Sequence, residues 1–153
     1  MDEKLIEKNF LKLKKLFIKR LGRKGLYDSE VNQVCKKLFK SQWLGCHPQD
    51  KTVFKPGYQI INTSLSTSGD GGVHWVAIFM DGETIHIYDS FARPASKLLK
   101  FLTRTSKHKK IKIKNSDTSD QEQFGDKSQI CGQLSISWLL CVQQYGIKSA
   151  MLI

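Results

Sequence analysis

The stretch of sequence that decides the fold runs from Val73 to Asp89 and reads VHWVAIFM, then DGE, then TIHIYD. Its first eight residues are too apolar for an edge strand and are rich in β-branched and aromatic residues, so we expect them to lie at the centre of a sheet. Asp81-Gly82 is a strong signal for a two-residue turn, and the residues after it alternate as in a half-buried strand. The sequence therefore predicts an antiparallel hairpin in which residues 74–81 face residues 82–89.

Four helices are predicted around this hairpin from apolar residues that recur at a helical period. The first occupies the N-terminal segment and ends at Gly22, and the second, of about three turns, begins at Asp28-Ser29. A third opens at Pro94-Ala95. The last, from Cys131 to Tyr145, is apolar along most of its length, so we expect it to be the buried central helix of the domain.

Two further strands, Tyr58–Asn62 and Lys110–Lys114, complete the predicted sheet. Residues 44–57 are rich in turn-forming residues and are interpreted as an ordered connection, and residues 115–129 as a polar loop. The sequence thus predicts an α+β fold, with a central mixed or antiparallel sheet, a buried helix that starts at a cysteine, and flanking helices. We expect one domain over residues 1–153, with an N-terminal helical part (1–42) and a core (43–153).

Composition excludes several classes of protein. A chain of 153 residues can bury roughly two-thirds of its unfolded surface, so it does not need disulfides. Its four cysteines are separated by 11, 85 and 10 positions and form no CxxC pair, so we expect no zinc site. No apolar run reaches the roughly 18 residues of a membrane span, and no apolar leader follows Met1. We therefore expect no membrane partner, no secretion and a reducing compartment.

The chain carries 25 basic against 14 acidic residues, a net charge of +11. Residues 1–25 hold nine Lys or Arg against three acids, and residues 97–114 hold eight against none. Such an excess indicates a polyanionic partner, most simply nucleic acid bound through phosphates, since neither stretch shows the exposed aromatic residues that stack on single strands. The alternative is a solvated face that keeps a small protein soluble. The candidate nucleic-acid-binding residues are Lys8, Lys12, Lys15, Lys19, Lys107, Lys109, Lys110 and Lys112.

Three residues could form a nucleophilic site. Cys131 begins the apolar helix, where the helix dipole and free main-chain N–H groups stabilise a thiolate, and we expect its thiol to be exposed. His74 lies in the most apolar strand, where a buried imidazole needs a partner, and the predicted hairpin brings Asp89 close to it. A cysteine, a histidine and an aspartate in one cleft form a catalytic triad. The alternative is that Cys131 is a small core residue like Cys141.

Other histidines are weaker candidates for the base. His86 lies between two isoleucines and is predicted to be on the polar face of its strand, while His47 and His108 lie in loop and basic segments. Asp81 and Glu83 are the other acids of the hairpin.

Three segments carry a resemblance to a known family: Gly71–Ala77 (GGVHWVA), Tyr88–Phe91 (YDSF) and Ser128–Gly132 (SQICG). They resemble the adenovirus-type processing cysteine proteases, the adenain-like branch of the ubiquitin-like-protein protease superfamily, in which the catalytic order is His, Asp or Glu, then Cys. The resemblance covers residues 43–145, and the whole chain would be a single cysteine protease domain with residues 43–153 as its catalytic core. Residues 110–123 lack the cysteine that binds a viral peptide in adenain, and few residues follow the last helix. The chain therefore resembles the minimal forms of virophages and virus-like DNA transposons.

The resemblance implies a role for each residue of the site. Cys131 would be the nucleophile, His74 the general base and acid, and Asp89 the group that orients His74, while Trp75 and Gly132 would line the substrate cleft. The oxyanion would be held by the main-chain N–H of Cys131 and by a glutamine. Counted back from Cys131 with the spacing of the family, the expected glutamine falls on Phe124. A one-residue insertion around Gly125 would make Gln123 the donor, and Gln121 and Gln129 stay open as alternatives.

The resemblance also implies a biological role. We expect a viral maturation cysteine endopeptidase that cuts capsid and core precursor proteins through an acyl-enzyme intermediate, as a monomer aided by non-specific DNA binding. It would act in the virion and in the infected cell, in the nucleus or a viral factory. No cofactor is expected to be required, with DNA or a viral peptide as candidate activators. The alternatives are a ubiquitin- or SUMO-type deconjugating protease and a non-enzymatic basic nucleic-acid-binding protein.

Overall fold

A computed structural model describes residues 2–67, 74–116 and 129–153 of the chain. The helices in these ranges are α1 (Glu3–Leu21), α2 (Asp28–Phe39), α3 (Ala95–Leu98), α4 (Lys100–His108), α5 (Cys131–Tyr145) and α6 (Ile147–Ala150). The strands are β1 (Trp43–Pro48), β2 (Gly57–Asn62), β3 (Trp75–Asp81), β4 (Thr84–Tyr88) and β5 (Lys112–Asn115). Short 3₁₀ turns flank β1 at Lys40–Gln42 and Gln49–Lys51.

The five strands form one mixed sheet in the order β1-β2-β3-β4-β5. The pairs β2-β3 and β3-β4 are antiparallel, and the outer pairs β1-β2 and β4-β5 are parallel. The apolar strand β3 therefore lies at the centre, as its composition predicts. An α+β fold with a mixed central sheet is confirmed.

Helices cover both faces of this sheet. On one face α1, α2 and α5 enclose the larger apolar core, in which the rings of Tyr88 and Trp138 stack with centroids 5.6 Å apart. On the other face α3 and α4 cover a smaller core around Leu99 and Leu102. The helix α5 is buried from Cys131 to Val142, so its predicted central position is confirmed. None of the helices described is both long and apolar enough to cross a bilayer.

The hairpin register differs from the prediction. The two residues of the turn are Gly82 and Glu83, and Asp81 pairs with Thr84. The predicted pairing of residues 74–81 with residues 82–89 is therefore wrong by two positions. The reason is the backbone of Gly82, whose φ of +49° suits the first central position of a tight turn. A shift of two positions keeps His74 and Asp89 on one face of the sheet, because side chains alternate with period two.

Three further predictions are corrected. Residues 43–48 form the edge strand β1, where we predicted only a connection, because Gly45 and Pro48 are turn residues that an edge strand can also hold. The helix that opens after Pro94 is divided at Leu99, whose φ of −124° and ψ of 58° are not helical. The last strand begins two residues after its predicted start, and Asn115 belongs to it rather than to the following loop. The rest of that loop from residue 117 to residue 128 lies outside the described residues.

Candidate active site

Three elements bring the candidate catalytic residues together. His74 directly precedes β3, Asp89 directly follows β4, and Cys131 is the first residue of α5. If the β3-β4 register is continued, His74 stands opposite Phe91 and two positions from Asp89 on the same face, which is within reach of a diagonal contact. The helix α5 crosses β3 at this point, where the Ser135 hydroxyl donates to the main-chain oxygen of Trp75 at 3.4 Å.

His74 and Asp89 form a buried, hydrogen-bonded pair. Nε2 of His74 lies against Oδ1 of Asp89, and the two side chains are 8% and 1% exposed. The other carboxylate oxygen, Oδ2, accepts hydrogen bonds from the main-chain N–H and from Nε of Arg93, both at 3.0 Å. The centroids of the Phe91 and His74 rings are 5.6 Å apart. The carboxylate is therefore fixed on both of its oxygens.

The thiol of Cys131 contacts the other side of the imidazole. The side chains of His74 and Cys131 interact, and each shifts the pKa of the other. Because Nε2 faces Asp89, Nδ1 is the nitrogen left for the sulfur. The main-chain N–H of Trp75 donates to Sγ at 3.4 Å, and the main chain of Gly132 also lowers the pKa of the thiol. A main-chain donor and a neighbouring imidazole both stabilise a thiolate.

In the candidate triad, hydrogen bonds and neighbouring charges together shift the pKa of each group further than burial shifts it in the opposite direction. Burial alone would lower the pKa of His74, but the hydrogen bonds and charges of Asp89 and Cys131 raise it to about 9. Burial alone would raise the pKa of Cys131, but the hydrogen bond and charge of His74 and the main-chain donors hold it below its ordinary value. The pKa of Asp89 is likewise lowered by His74 and Arg93 against the effect of burial. The site therefore favours a thiolate–imidazolium pair beside an ionised carboxylate.

In the other three cysteines, the pKa of the thiol is raised above its ordinary value. Burial raises the pKa of Cys141 to about 12 and raises the pKa values of Cys35 and Cys46 still further. Among the four cysteines, only Cys131 has a lowered pKa. This difference separates a candidate nucleophile from core cysteines.

The link between α1 and α2, residues 22–27, packs against the residues next to Cys131, a contact that the sequence interpretation missed. The Trp75 indole donates to the main-chain oxygen of Leu26 at 2.9 Å. The Gln133 amide donates to the oxygens of Gly22 and Lys24 at 2.8 and 2.9 Å. A Cβ at Gly132 would stand only 3.0 Å from the Leu26 side chain and 3.3 Å from Trp75. The predicted cleft residues Trp75 and Gly132 thus lie beside Cys131, against this link.

This enclosure corrects the expectation that the thiol is exposed, since Cys131 is only 7% exposed. The chosen oxyanion glutamine, Gln123, and its alternative Gln121 lie outside the described residues. The third candidate, Gln129, is exposed, and its side chain lies against Gly25. The identity of the oxyanion donor stays a prediction.

The remaining histidines lie apart from this constellation. The prediction that His86 is on the polar face is wrong, since it is buried at 7% exposure with Nε2 at 2.9 Å from Oδ1 of Asp81 and its ring against Phe79. His47 lies in β1, not in a loop, and contacts the main-chain oxygen of Leu44. His108 ends α4 and is exposed. In the part of the chain that the structure describes, no three His, Cys, Asp or Glu side chains are grouped to hold a metal ion.

The candidate phosphate-binding lysines are exposed, but they form two separate surfaces. The first is on α1, which packs on the same side of the sheet as α5. The second is on α4 and the turn after it, at the opposite side, while Lys112 lies on the edge strand β5 and points away from α4, because its neighbour Ile113 packs toward α4. Phe101 on α4 is 39% exposed beside Arg104 and Lys107, so the prediction that this stretch lacks an exposed aromatic residue is wrong. The exposed lysines are Lys8, Lys12, Lys15 and Lys19 on α1, and Lys107, Lys109, Lys110 and Lys112 at α4 and β5.

Comparison with models of known protein families found no match, and comparison with curated proteins found no similar sequence.

Proposed function

We propose that this protein is a cysteine endopeptidase that uses Cys131, His74 and Asp89 as a catalytic triad. The observation that carries the proposal is the continuous buried chain of contacts from the Cys131 thiol through the imidazole of His74 to the carboxylate of Asp89. Each member lies at the end of a different element, and the order along the chain is that of the family the sequence resembles. A core cysteine needs none of these contacts.

The proposed reaction proceeds through an acyl-enzyme. The Cys131 thiolate attacks the carbonyl carbon of the scissile peptide, and the tetrahedral oxyanion is held by the main-chain N–H of Cys131 and by a glutamine side chain. The imidazolium of His74 gives its proton to the departing amine as the C–N bond breaks, which leaves a thioester. His74 then takes a proton from water as the water oxygen attacks the thioester carbonyl, and the C–S bond breaks to release the carboxylic acid and restore the thiolate–imidazolium pair. Asp89 orients His74 throughout.

The resemblance to adenovirus-type proteases supports a role in virion maturation, with capsid and core precursors as substrates. The same triad would serve a ubiquitin- or SUMO-type deconjugating protease. Such enzymes are expected to present acidic or apolar patches to their partner, whereas the net charge here is +11 and the exposed residues of α4 and β5 are strongly basic. This charge favours the viral processing role and an accessory contact with DNA phosphates.

The test is covalent labelling with an active-site-directed probe. The folded protein is incubated with a peptide vinyl sulfone that carries glycine next to the reactive group, and the adduct is mapped by mass spectrometry. We expect one adduct, on Cys131, and its loss in His74→Ala. Labelling of Cys131 to the same extent in both proteins would contradict the proposal, as would adducts spread over several cysteines.

A further inference from the structure

The geometry around Asp89 points to Arg93 as a positioning residue that holds this carboxylate in its catalytic orientation, an inference that rests on the proposed function. The sequence interpretation did not include Arg93, and the reaction above gives it no part. Arg93 lies four positions after Asp89, on the turn that leaves β4.

The first support is that the two carboxylate oxygens of Asp89 have different hydrogen-bond partners. Oδ1 faces Nε2 of His74, while Oδ2 accepts both the main-chain N–H and Nε of Arg93 at 3.0 Å. Two donors from one residue fix the rotation of the carboxylate, and this rotation decides whether Oδ1 faces the imidazole. A carboxylate held by His74 alone would be free to turn about its side-chain bonds.

The second support is the shape of the turn between the two residues. The main-chain N–H of Ala92 donates to the main-chain oxygen of Asp89 at 2.9 Å. Ala92 has a φ of +55°, which is unusual for a residue other than glycine. This turn brings the Arg93 guanidinium within 5.0 Å of the Phe91 ring centroid, and Phe91 itself lies against His74. Arg93 therefore contacts the Asp89–His74 pair both through the carboxylate and through the ring behind the imidazole.

The third support is the balance of charge around a buried acid. The Asp89 side chain is 1% exposed, so its ionised form depends on its partners. Among the described residues, the charged or titratable groups that face it are His74 and Arg93, with Cys131 on the far side of His74. Without Arg93, burial would favour protonated Asp89, the imidazolium would lose its counter-charge, and the thiolate of Cys131 would form only at higher pH.

The experiment follows the reactivity of Cys131 with pH, using iodoacetamide and mass spectrometry to measure the alkylation rate of this residue alone. Arg93→Met keeps the length of the side chain and removes its charge. Arg93→Lys keeps the charge and loses the Nε hydrogen bond. Arg20→Met, at an exposed arginine of α1, is the matched control. Circular dichroism establishes that each variant is folded.

We expect Arg93→Met to move the acid limb of the alkylation profile to higher pH, so that the rate below the midpoint falls about tenfold while the alkaline plateau is kept. Arg93→Lys should give a smaller shift in the same direction, and Arg20→Met none. On a fluorogenic peptide, the Arg93 variants should lower kcat with little change in KM.

An unshifted profile in Arg93→Met would overturn the inference. If that variant does not fold, an unshifted profile in Arg93→Lys overturns it equally. Failure of the proposed function is a different result, in which Cys131 of the unmodified protein reacts no faster than an ordinary thiol at neutral pH.

Discussion

At the scale of single residues, the site depends on which charged form each buried group takes. A carboxylate, an imidazole and a thiol are all removed from water here, and burial alone would make each of them neutral. Their mutual contacts reverse this outcome for all three. The alkaline limit of activity should therefore lie where the imidazolium of His74 loses its proton, near pH 9, and the acid limit where the thiolate of Cys131 is protonated.

We expect Asp89→Asn to narrow the pH range of activity at both its acid and its alkaline limit. Loss of the carboxylate lowers the pKa of His74 and so weakens the imidazolium that stabilises the thiolate, which raises the pKa of Cys131. The acid limb of kcat/KM should move to higher pH and the alkaline limb to lower pH. Turnover should fall without being abolished, because an amide oxygen can still accept from the imidazole.

The matched control for this measurement is Asp81→Asn, at the acid that pairs with His86 in the same hairpin. It should leave the pH profile unchanged. If Asp89→Asn gives the unmodified profile instead, Asp89 is not part of the triad.

We expect Cys131→Ala and Cys141→Ala to have opposite effects. Cys131→Ala should abolish peptide hydrolysis and leave the protein folded, since Cys131 is the first residue of α5 and lies outside both apolar cores. Cys141 is fully buried in the middle of α5, so Cys141→Ala should keep activity and lower the free energy of unfolding by about 1 to 3 kcal/mol through a cavity. Hydrolysis assays and urea denaturation measure the two effects. An active Cys131→Ala together with an inactive Cys141→Ala would reverse the assignment.

At the scale of secondary-structure elements, the hairpin explains why the candidate triad could be predicted although the register could not. Counting from the turn puts His74 and Asp89 on one face of the sheet, and an error of two positions leaves them on that face. An error of one position would have put Asp89 on the opposite face of the sheet. The long apolar run of α5 made its start at Cys131 equally clear.

Other parts of the site depend on long-range packing that local patterns do not carry. The strand β1 is only half-buried, and its glycine and proline resemble a connection. The link between α1 and α2 is held beside the start of α5 by Trp75 and Gln133, whose side chains donate to its main chain. The contact of Arg93 with Asp89 depends on a turn in which an alanine has a positive φ, a conformation that the sequence does not indicate.

We expect Gly57→Ala to be the most destabilising alanine substitution among the glycines of the sheet. Gly57 begins β2 with a φ of +142°, and a Cβ there would lie 2.6 Å from the main-chain oxygen of Gln42, just before β1. Both backbone strain and a clash with main chain should cost about 2 to 4 kcal/mol in the free energy of unfolding.

The control for Gly57→Ala is Gly82→Ala in the hairpin turn. Gly82 also has a positive φ, but nothing lies within 4 Å of the point where a Cβ would stand, so only strain of about 1 to 2 kcal/mol is expected. Urea denaturation of both variants measures the difference. Equal losses at the two positions would mean that the close approach of β1 to β2 contributes nothing.

At the scale of the whole molecule, the layers separate the positive charge into two surfaces. The lysines of α1 and those of α4 and the turn after it lie on opposite sides of the sheet, so a straight duplex can contact only one of these two sets at a time. Residues 97–114 contain no acid, whereas α1 carries Glu3 and Glu7 beside its lysines. The surface formed by α4 and β5 is therefore the stronger candidate for DNA.

We expect binding to unrelated duplexes with equal affinity and with a steep dependence on salt. If about five phosphates are neutralised, the slope of log affinity against log salt should be about −4 to −5. Replacing Lys107, Lys109, Lys110 and Lys112 by glutamine should reduce the steepness of this slope by about 3 to 4, while the same change at Lys8, Lys12, Lys15 and Lys19 should leave it nearly unaltered. Fluorescence anisotropy between low and physiological salt measures both variants against the unmodified protein. No binding at low salt, or a flat salt response, would show that the lysines serve solubility alone, and neither result would affect the reactivity of Cys131.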